Sequence, residues 1–303
     1  MAKQFSTNPD ALRIIRGVGG NYWVRSASGE ELQVQAPGIF RNQAVRPMPG
    51  DLVLCEATSD ELIPLRMTDI TERSNELPRP PLANLDLLWI LIPLAKPEPD
   101  LWMLDKMLTI AYAQNISCRI IFTKQDLVDS SACALAEVYA RAGFVVNLSD
   151  PTSHALHEEL RSELHNRFVA LAGPSGAGKS TLLNAILEGD YMPTGEISEK
   201  LRRGKHTTRH SELFPVRGGY LADTPGFSSL DLAQAGVTEE SLVQSYPEIW
   251  DKQNDCRFLS CKHLHEPGCA VRGAADIDAG RLERYQAFRE LLEKDKAYER
   301  KRN

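Results

Sequence analysis

Residues 168–187 read Phe-Val-Ala-Leu-Ala-Gly-Pro-Ser-Gly-Ala-Gly-Lys-Ser-Thr-Leu-Leu-Asn-Ala-Ile-Leu. The stretch begins with an apolar run typical of a buried strand and ends with apolar residues at helical spacing. Between these two parts, Gly173, Gly178, Lys179 and Ser180 stand at the spacing G-x-x-x-x-G-K-[ST]. A strand, a glycine-rich loop and a helix in this order predict a loop that binds the phosphates of a nucleoside triphosphate. An ordinary glycine-rich turn is the weaker interpretation.

Each residue type in this loop has a physical task. Glycines allow successive backbone N–H groups to turn toward phosphate oxygens, and the following helix adds the positive end of its dipole. We expect Lys179 to reach the β- and γ-phosphates and the hydroxyl of Ser180 to bind Mg²⁺. The candidate phosphate-binding residues are Gly173, Pro174, Ser175, Gly176, Ala177, Gly178, Lys179, Ser180 and Thr181.

Length and composition limit the class of protein. The chain has 303 residues and an ordinary globular composition, which predicts two or three domains. No apolar run reaches the length of about eighteen residues that a membrane span needs, and no apolar signal core precedes Asp10, so we expect a cytoplasmic protein. The net charge of −6 is unlike that of a protein wrapped around nucleic acid, although a local basic cluster can still bind RNA. Such a cluster comprises Arg202, Arg203, Lys205 and Arg209.

Residues 12–70 read as short strands separated by turn signals such as Gly17–Gly20 and Pro49–Asp51. Several strands within about sixty residues predict a small antiparallel barrel, and we expect an OB-like fold, which presents one face to oligonucleotides. Another small barrel without a ligand is the alternative. The prolines of residues 76–81 then predict an extended linker.

A second motif follows a buried strand upstream of the phosphate loop. The strand at 118–122 leads directly into Thr123, Lys124, Gln125 and Asp126, which resemble the N/T-K-x-D element of GTP-binding proteins. In that element the carboxylate accepts two N–H bonds from the guanine edge, a donor pair that adenine does not offer. Asn is the commoner first residue. A further strand at 144–149 ends at Ser149, where a fifth guanine-contacting element would lie.

Downstream of the phosphate loop, two segments predict contacts with the γ-phosphate and its metal. The polar stretch 194–210 contains Lys205-His206-Thr207-Thr208 and is typical of a GTPase switch. Either threonine can be a magnesium ligand, and Thr208 is the preferred candidate. Two short strands then end in Asp223-Thr224-Pro225-Gly226, a D-x-x-G element. We expect Asp223 to hold Mg²⁺ through water and the N–H group of Gly226 to sense the γ-phosphate.

The C-terminal region holds a group of metal-ligand residues, Cys256, Cys261, His263 and Cys269, in the frame C-x4-C-x-H-x5-C. Three thiolates and an imidazole suit tetrahedral Zn²⁺. His265 is an alternative ligand, and a thiol cluster without metal is the alternative interpretation. Helical spacing then predicts a helix over 279–301, with its charged ends forming a solvated face.

The order of these motifs is unusual, because the guanine element comes before the phosphate loop. Circular permutation explains this order. With its Lys-His-Thr-Thr switch, its cysteine cluster and the junction Asn75-Glu76-Leu77-x-Arg79-Pro80-Pro81, the chain resembles the RsgA (YjeQ) family of GTPases over nearly its full length.

The resemblance implies three domains: an OB-fold-like barrel at 1–75, a circularly permuted GTPase domain at 76–235 and a zinc-binding helical domain at 236–303. It implies GTP hydrolysis with Mg²⁺, stimulated by the small ribosomal subunit during its late maturation, and contact with the RNA of that subunit. It also implies His263 as the fourth zinc ligand. Because Phe227 replaces the water-orienting glutamine of many GTPases, the resemblance implies His206 as the catalytic residue.

Two other functions fit parts of the sequence. A non-catalytic RNA-binding adaptor would hold the nucleotide structurally, and a P-loop kinase would use ATP. Asp126 argues against the kinase because it matches guanine. We expect a monomer that binds no membrane.

Overall fold

The structure is a computed structural model that describes residues 11–26, 28–38, 40, 45–60, 62–129, 134–149, 153–189, 212–223 and 231–302. The predicted residues His206, Thr207, Thr208 and Gly226, together with the basic cluster at 202–209, lie outside these ranges. The chain forms two compact units. The first comprises Met1–Leu87, Ala155–Leu171 and Ser180–Gly226, and the second comprises Leu88–His154, Ala172–Lys179 and Phe227–Asn303.

The first unit begins with the predicted barrel. Within the described residues, five strands close it in the order β1-β2-β3-β5-β4. They are β1 (Leu12–Val18), β2 (Asn21–Arg25), β3 (Glu31–Gln35), β4 (Leu52–Ala57) and β5 (Leu65–Ile70). Alternate side chains point inward, and the barrel core consists of Ile14, Val24, Val34, Phe40, Val53 and Met67. This closed barrel confirms the predicted OB-like fold, but the prediction that it is antiparallel is wrong for one pair, since β3 and β5 run in parallel.

The predicted proline linker has a different structure. Glu76–Pro78 (β6) and Pro81–Ala83 (β7) pair as an antiparallel ladder, with Pro78 opposite Pro81. Proline is tolerated here because each strand has only one paired edge, and its missing N–H group can lie on the other. The prediction of an extended linker is therefore wrong here, because proline is incompatible only with central strands.

A close backbone approach joins the barrel to this hairpin. Gly50 has φ +95°, and a Cβ atom there would lie 2.0 Å from the carbonyl oxygen of Ala83. Asn84 donates from Nδ2 to the carbonyl oxygen of Gly50 at 3.1 Å. Arg13 donates to the same oxygen, and its guanidinium lies over the rings of Phe168 and Tyr220. The barrel is therefore attached to neighbouring strands of its own unit.

Six strands of the described chain form a sheet in the order β10-β9-β8-β11-β13-β12. They are β8 (Leu87–Pro93), β9 (Ser117–Thr123), β10 (Val145–Leu148), β11 (Phe168–Ala172), β12 (Glu212–Val216) and β13 (Gly219–Asp223). β8 and β11 are buried along their whole length, as their continuous apolar sequences predict. β9 pairs in parallel with β10, and β11 pairs in parallel with β13.

The helices are α1 (Leu101–Ala113), α2 (Ala134–Arg141), α3 (His154–Glu163), α4 (Lys179–Leu187), α5 (Glu239–Gln244), α6 (Pro247–Lys252) and α7 (Ala279–Arg302). The prediction for α7 is correct in position and wrong in one respect. The sequence predicts solvated charges at the ends of this helix, whereas Arg281 in its first turn is only 1% exposed. None of the helices in the described ranges is long and apolar enough to cross a bilayer.

Candidate nucleotide and zinc sites

The phosphate loop connects the buried strand β11 to α4, as predicted. Gly173 has φ +145°, and a Cβ atom there would lie 2.3 Å from the carbonyl oxygen of Leu91. A side chain at this position would collide with the backbone of β8, so the first glycine of the motif is required sterically. Gly178 has φ +89°, a conformation that also favours glycine.

Lys179 directs its ammonium group into the same loop. The side chain is 8% exposed, and Nζ donates to the carbonyl oxygens of Gly173 at 2.9 Å and Pro174 at 2.8 Å. Ser175 and Gly176, on the outer side of the loop, are exposed. The geometry therefore holds a positive charge inside the glycine-rich loop.

The guanine element lies against the phosphate loop within the second unit. Thr123 ends β9, and its hydroxyl donates to the carbonyl oxygen of Ala177 at 2.9 Å in a buried position. Lys124 has φ +60°, after which Gln125–Leu127 forms one turn of 3₁₀ helix. This turn leaves Asp126 exposed, so its carboxylate is accessible to a base. The threonine hydroxyl therefore ties the end of β9 to the phosphate loop.

Residues 94–97, which follow β8, are a further part of this region that no sequence motif indicated. Lys124 donates from Nζ to the carbonyl oxygen of Lys96. A Cβ atom at Gly176 would lie 3.5 Å from Cδ of Pro97. The segment therefore contacts both the guanine element and the phosphate loop. The available signal was the position of these residues at the carboxyl end of a buried parallel strand, where ligands collect in α/β folds.

Ser149 lies at the same edge of the sheet as Thr123. In the parallel pairing of β10 and β9, Leu148 is opposite Phe122, and the N–H group of Ser149 donates to the carbonyl oxygen of Phe122 at 2.7 Å. Ser149 is 6% exposed. The strand that precedes it thus brings this residue to the edge where the guanine element begins.

Asp223 ends β13 and is 6% exposed. Its register partner on β11 is Leu171, two residues before Gly173. Register therefore sets the D-x-x-G aspartate beside the last residues of β11. The oxygen donors of Asp223 and Ser180 are of the kind that Mg²⁺ prefers, so this donor set fits the predicted metal.

The predicted zinc ligands lie together near the start of α7. The ligand atoms of Cys256, Cys261, His263 and Cys269 all lie within 4.8 Å of one another. Nδ1 of His263 is 3.6 Å from Sγ of Cys256 and 3.4 Å from Sγ of Cys269. Tetrahedral Zn²⁺ with ordinary Zn–S and Zn–N bond lengths requires sulfur and nitrogen to be about 3.6 Å apart. The four residues therefore fit a structural zinc ion, and His263 is the histidine of the cluster.

Hydrogen bonds to Glu266 stabilise the loop that carries the predicted zinc ligands. Glu266 accepts hydrogen bonds from the backbone N–H groups of Lys262, Leu264 and His265 at 2.9 to 3.1 Å. Burial alone would raise the pKa of Glu266, but these donors outweigh it and lower the pKa to about 2. Burial lowers the pKa of His263, and nearby Arg289 acts in the same direction. The imidazole is therefore neutral near pH 7, the form that binds a metal.

We expect Cys269→Ser to lose the metal. A hydroxyl is a much weaker zinc ligand than a thiolate, so zinc content should fall from about one ion per chain to a small fraction of that value, and the melting temperature should fall with it. Atomic emission on the purified variant measures this. Cys55→Ser is the matched control, because Cys55 lies in β4 of the barrel. Equal zinc content in Cys269→Ser and the control would contradict the assignment.

Comparison with known proteins places these sites in a family. The RsgA GTPase family model matches residues 70–233. The chain belongs to the RsgA GTPase family. Two RsgA relatives, both named small ribosomal subunit biogenesis GTPase RsgA, are from Ruminiclostridium cellulolyticum and Bacillus subtilis. The first is 40% identical over 277 residues, covering 90% of each chain. The second is 37% identical over 282 residues, covering 90% of this chain and 93% of the relative.

Solved structures of similar proteins agree with this assignment. The crystal structure of YloQ, described as a circularly permuted GTPase, has a TM-score of 0.75 and 32% identity, covering 97% of this chain and 99% of that one. YjeQ from Thermotoga maritima has a TM-score of 0.75 and 29% identity, covering 93% of this chain and 98% of that one. The predicted permuted GTPase fold with a barrel and a C-terminal zinc-binding region is confirmed.

Proposed function

We propose that this RsgA family member hydrolyses GTP in late maturation of the small ribosomal subunit and that the subunit stimulates its turnover. The observation that carries the proposal is the hydrogen bond from Thr123 to Ala177, which holds the guanine element against the phosphate loop. Base recognition and phosphate binding would then share one site. The family supports the same function, because its relatives are named small ribosomal subunit biogenesis GTPases.

The proposed partners are GTP or GDP and the small subunit with its RNA. The barrel supports an RNA contact, because an OB-like fold presents one face to oligonucleotides. We propose the module boundaries 1–75, 76–235 and 236–303, a cytoplasmic monomer, and Mg²⁺ held by Ser180, Asp223 and Thr208. Coupling would run from Gly226, in D-x-x-G, into the zinc-binding region that follows it.

GTP turnover with purified ribosomal subunits tests this function. We expect a slow rate for the protein alone, a rise of at least about tenfold with small subunits, and no comparable rise with large subunits. GDP should compete and ADP should not. A turnover rate that neither subunit raises would support the adaptor interpretation. An equal rise with both subunits would contradict specific stimulation by the small subunit, and competition by ADP would support the kinase.

The same assay tests His206. We propose that this residue orients the attacking water, because Phe227 occupies the position after D-x-x-G where many GTPases have glutamine. His206→Ala should bind GTP normally and lose about 10² of the stimulated rate. An unchanged stimulated rate with intact GTP binding would remove His206 from catalysis.

A further inference from the structure

Arg281 is a buried cation in the first turn of α7. Its side chain is 1% exposed. Nη1 donates to Oδ1 of Asp105 in α1 at 2.6 Å, and Nε donates to Oε1 of Glu248 in α6 at 2.5 Å. Burial lowers the pKa of Arg281, but the two carboxylates outweigh burial and raise it, so the group stays charged. Arg281 therefore links three helices of the second unit.

Three aromatic rings enclose the same guanidinium. Its central carbon lies 4.8 Å from the ring centre of Tyr139, 5.2 Å from that of Phe144 and 4.7 Å from that of Tyr246. A planar guanidinium can donate within its plane and contact rings with its faces, whereas a lysine ammonium cannot do both. This environment is specific for arginine.

The aromatic contacts continue to the guanine element. The ring centre of Tyr139 lies 6.0 Å from that of Phe122, which is fully buried in β9. Phe122 directly precedes Thr123, whose hydroxyl is bonded to Ala177 of the phosphate loop. The side chains packed around Arg281 thus form the support behind the loop that carries Asp126.

The same helix also holds the zinc loop. Gln286 donates from Nε2 to the carbonyl oxygen of His263 at 2.6 Å, and the rings of Tyr285 and His263 are 6.0 Å apart. These residues lie four and five positions after Arg281, about one turn along α7. One helix therefore contacts the zinc loop and the support of the guanine element.

We propose that Arg281 is a positioning residue for guanine recognition, which acts through Tyr139 and Phe122 on the loop from Thr123 to Asp126. The inference rests on the proposed binding of guanine nucleotides. It makes α7 a direct connection between the zinc-binding region and the base-binding end of the nucleotide site. A partner that bound and distorted α7 would therefore change the affinity for the guanine base, although the partner itself would not contact the phosphates.

The test compares GDP with inosine diphosphate, which lacks the 2-amino group that Asp126 would bind. Arg281→Lys keeps the charge but loses the planar guanidinium that stacks on the rings. We therefore expect the affinity for GDP to fall about fivefold and the ratio of GDP affinity to inosine diphosphate affinity to fall about threefold. Tyr139→Leu should narrow the preference similarly, since it interrupts the same contacts. Fluorescent-nucleotide competition gives the affinities, and melting curves give the folded fraction.

Arg73→Lys is the matched control. The Arg73 side chain is also largely buried, at 20% exposure, but it donates to both carboxylate oxygens of Asp51 in the first unit. This variant should lower the melting temperature and leave the base preference unchanged. If Arg281→Lys and Tyr139→Leu also kept the wild-type preference, Arg281 would be only a helix anchor and the proposal would be overturned. A wild-type protein that did not prefer GDP over ADP would instead overturn the proposed function itself.

Discussion

Replacing Asp126 with asparagine is expected to lower the affinity for GDP by about 10² to 10³ and to create measurable affinity for xanthosine diphosphate. The carboxylate accepts from N1–H and from the 2-amino group of guanine. An asparagine amide keeps one acceptor but turns its own N–H₂ toward the 2-amino group, so two donors face each other. Xanthine carries an oxygen at position 2, which accepts from that N–H₂.

The position of Asp126 makes this exchange of specificity testable. It is exposed on the short turn Gln125–Leu127, so the substitution removes no buried contact and should leave the melting temperature nearly unchanged. Asp129→Asn is the control, because it makes the same change of charge three residues along at another exposed position. Competition by unlabelled diphosphates against a fluorescent nucleotide measures both affinities. Retained GDP affinity in Asp126→Asn would mean that another group reads the base.

Local patterns predicted where the phosphate loop and Thr123–Asp126 lie in the fold, because each position depends on a short segment of sequence. The phosphate loop requires glycine where Gly173 meets the backbone of Leu91, and the same glycine is what the motif specifies. Thr123–Asp126 directly follows a buried strand, so its place at the edge of the sheet followed from the α/β pattern. In both cases the signal and the structural requirement lie within a few consecutive residues.

The buried charges of α7 could not be predicted in this way. Arg281 stands in a polar helical stretch, where a solvated arginine is the ordinary outcome. Its partner Asp105 lies 176 residues earlier in the chain, on another helix. Nothing near either residue indicates the pairing, because it depends on how α1, α6 and α7 pack. The β6–β7 hairpin could not be predicted for a related reason. The prolines show which residues lack an N–H donor, but only the tertiary structure shows whether the edge of the strand that carries them has a pairing partner.

Replacing Lys179 with methionine is expected to reduce GTP turnover by at least about 10³, with and without small subunits. Methionine has a similar length and keeps the apolar part of the side chain, so the change removes mainly the ammonium group. Its charge would stabilise the negative charge on the β- and γ-phosphate oxygens as the bond between them breaks. The loop geometry supports this role, since Nζ is already held among the loop carbonyls of Gly173 and Pro174.

Single-turnover hydrolysis separates this effect on chemistry from an effect on binding. Lys179→Met should lose the rate at saturating GTP and should also lose any preference for GTP over GDP, because the lost charge acts on the terminal phosphates. Lys294→Met, which alters an exposed surface pair with Glu290 on α7, is the control and should match the wild type. If Lys179→Met kept a normal single-turnover rate, the ammonium group would serve only to hold the loop closed. The transition-state charge would then have to be balanced by Mg²⁺ and the loop N–H groups alone.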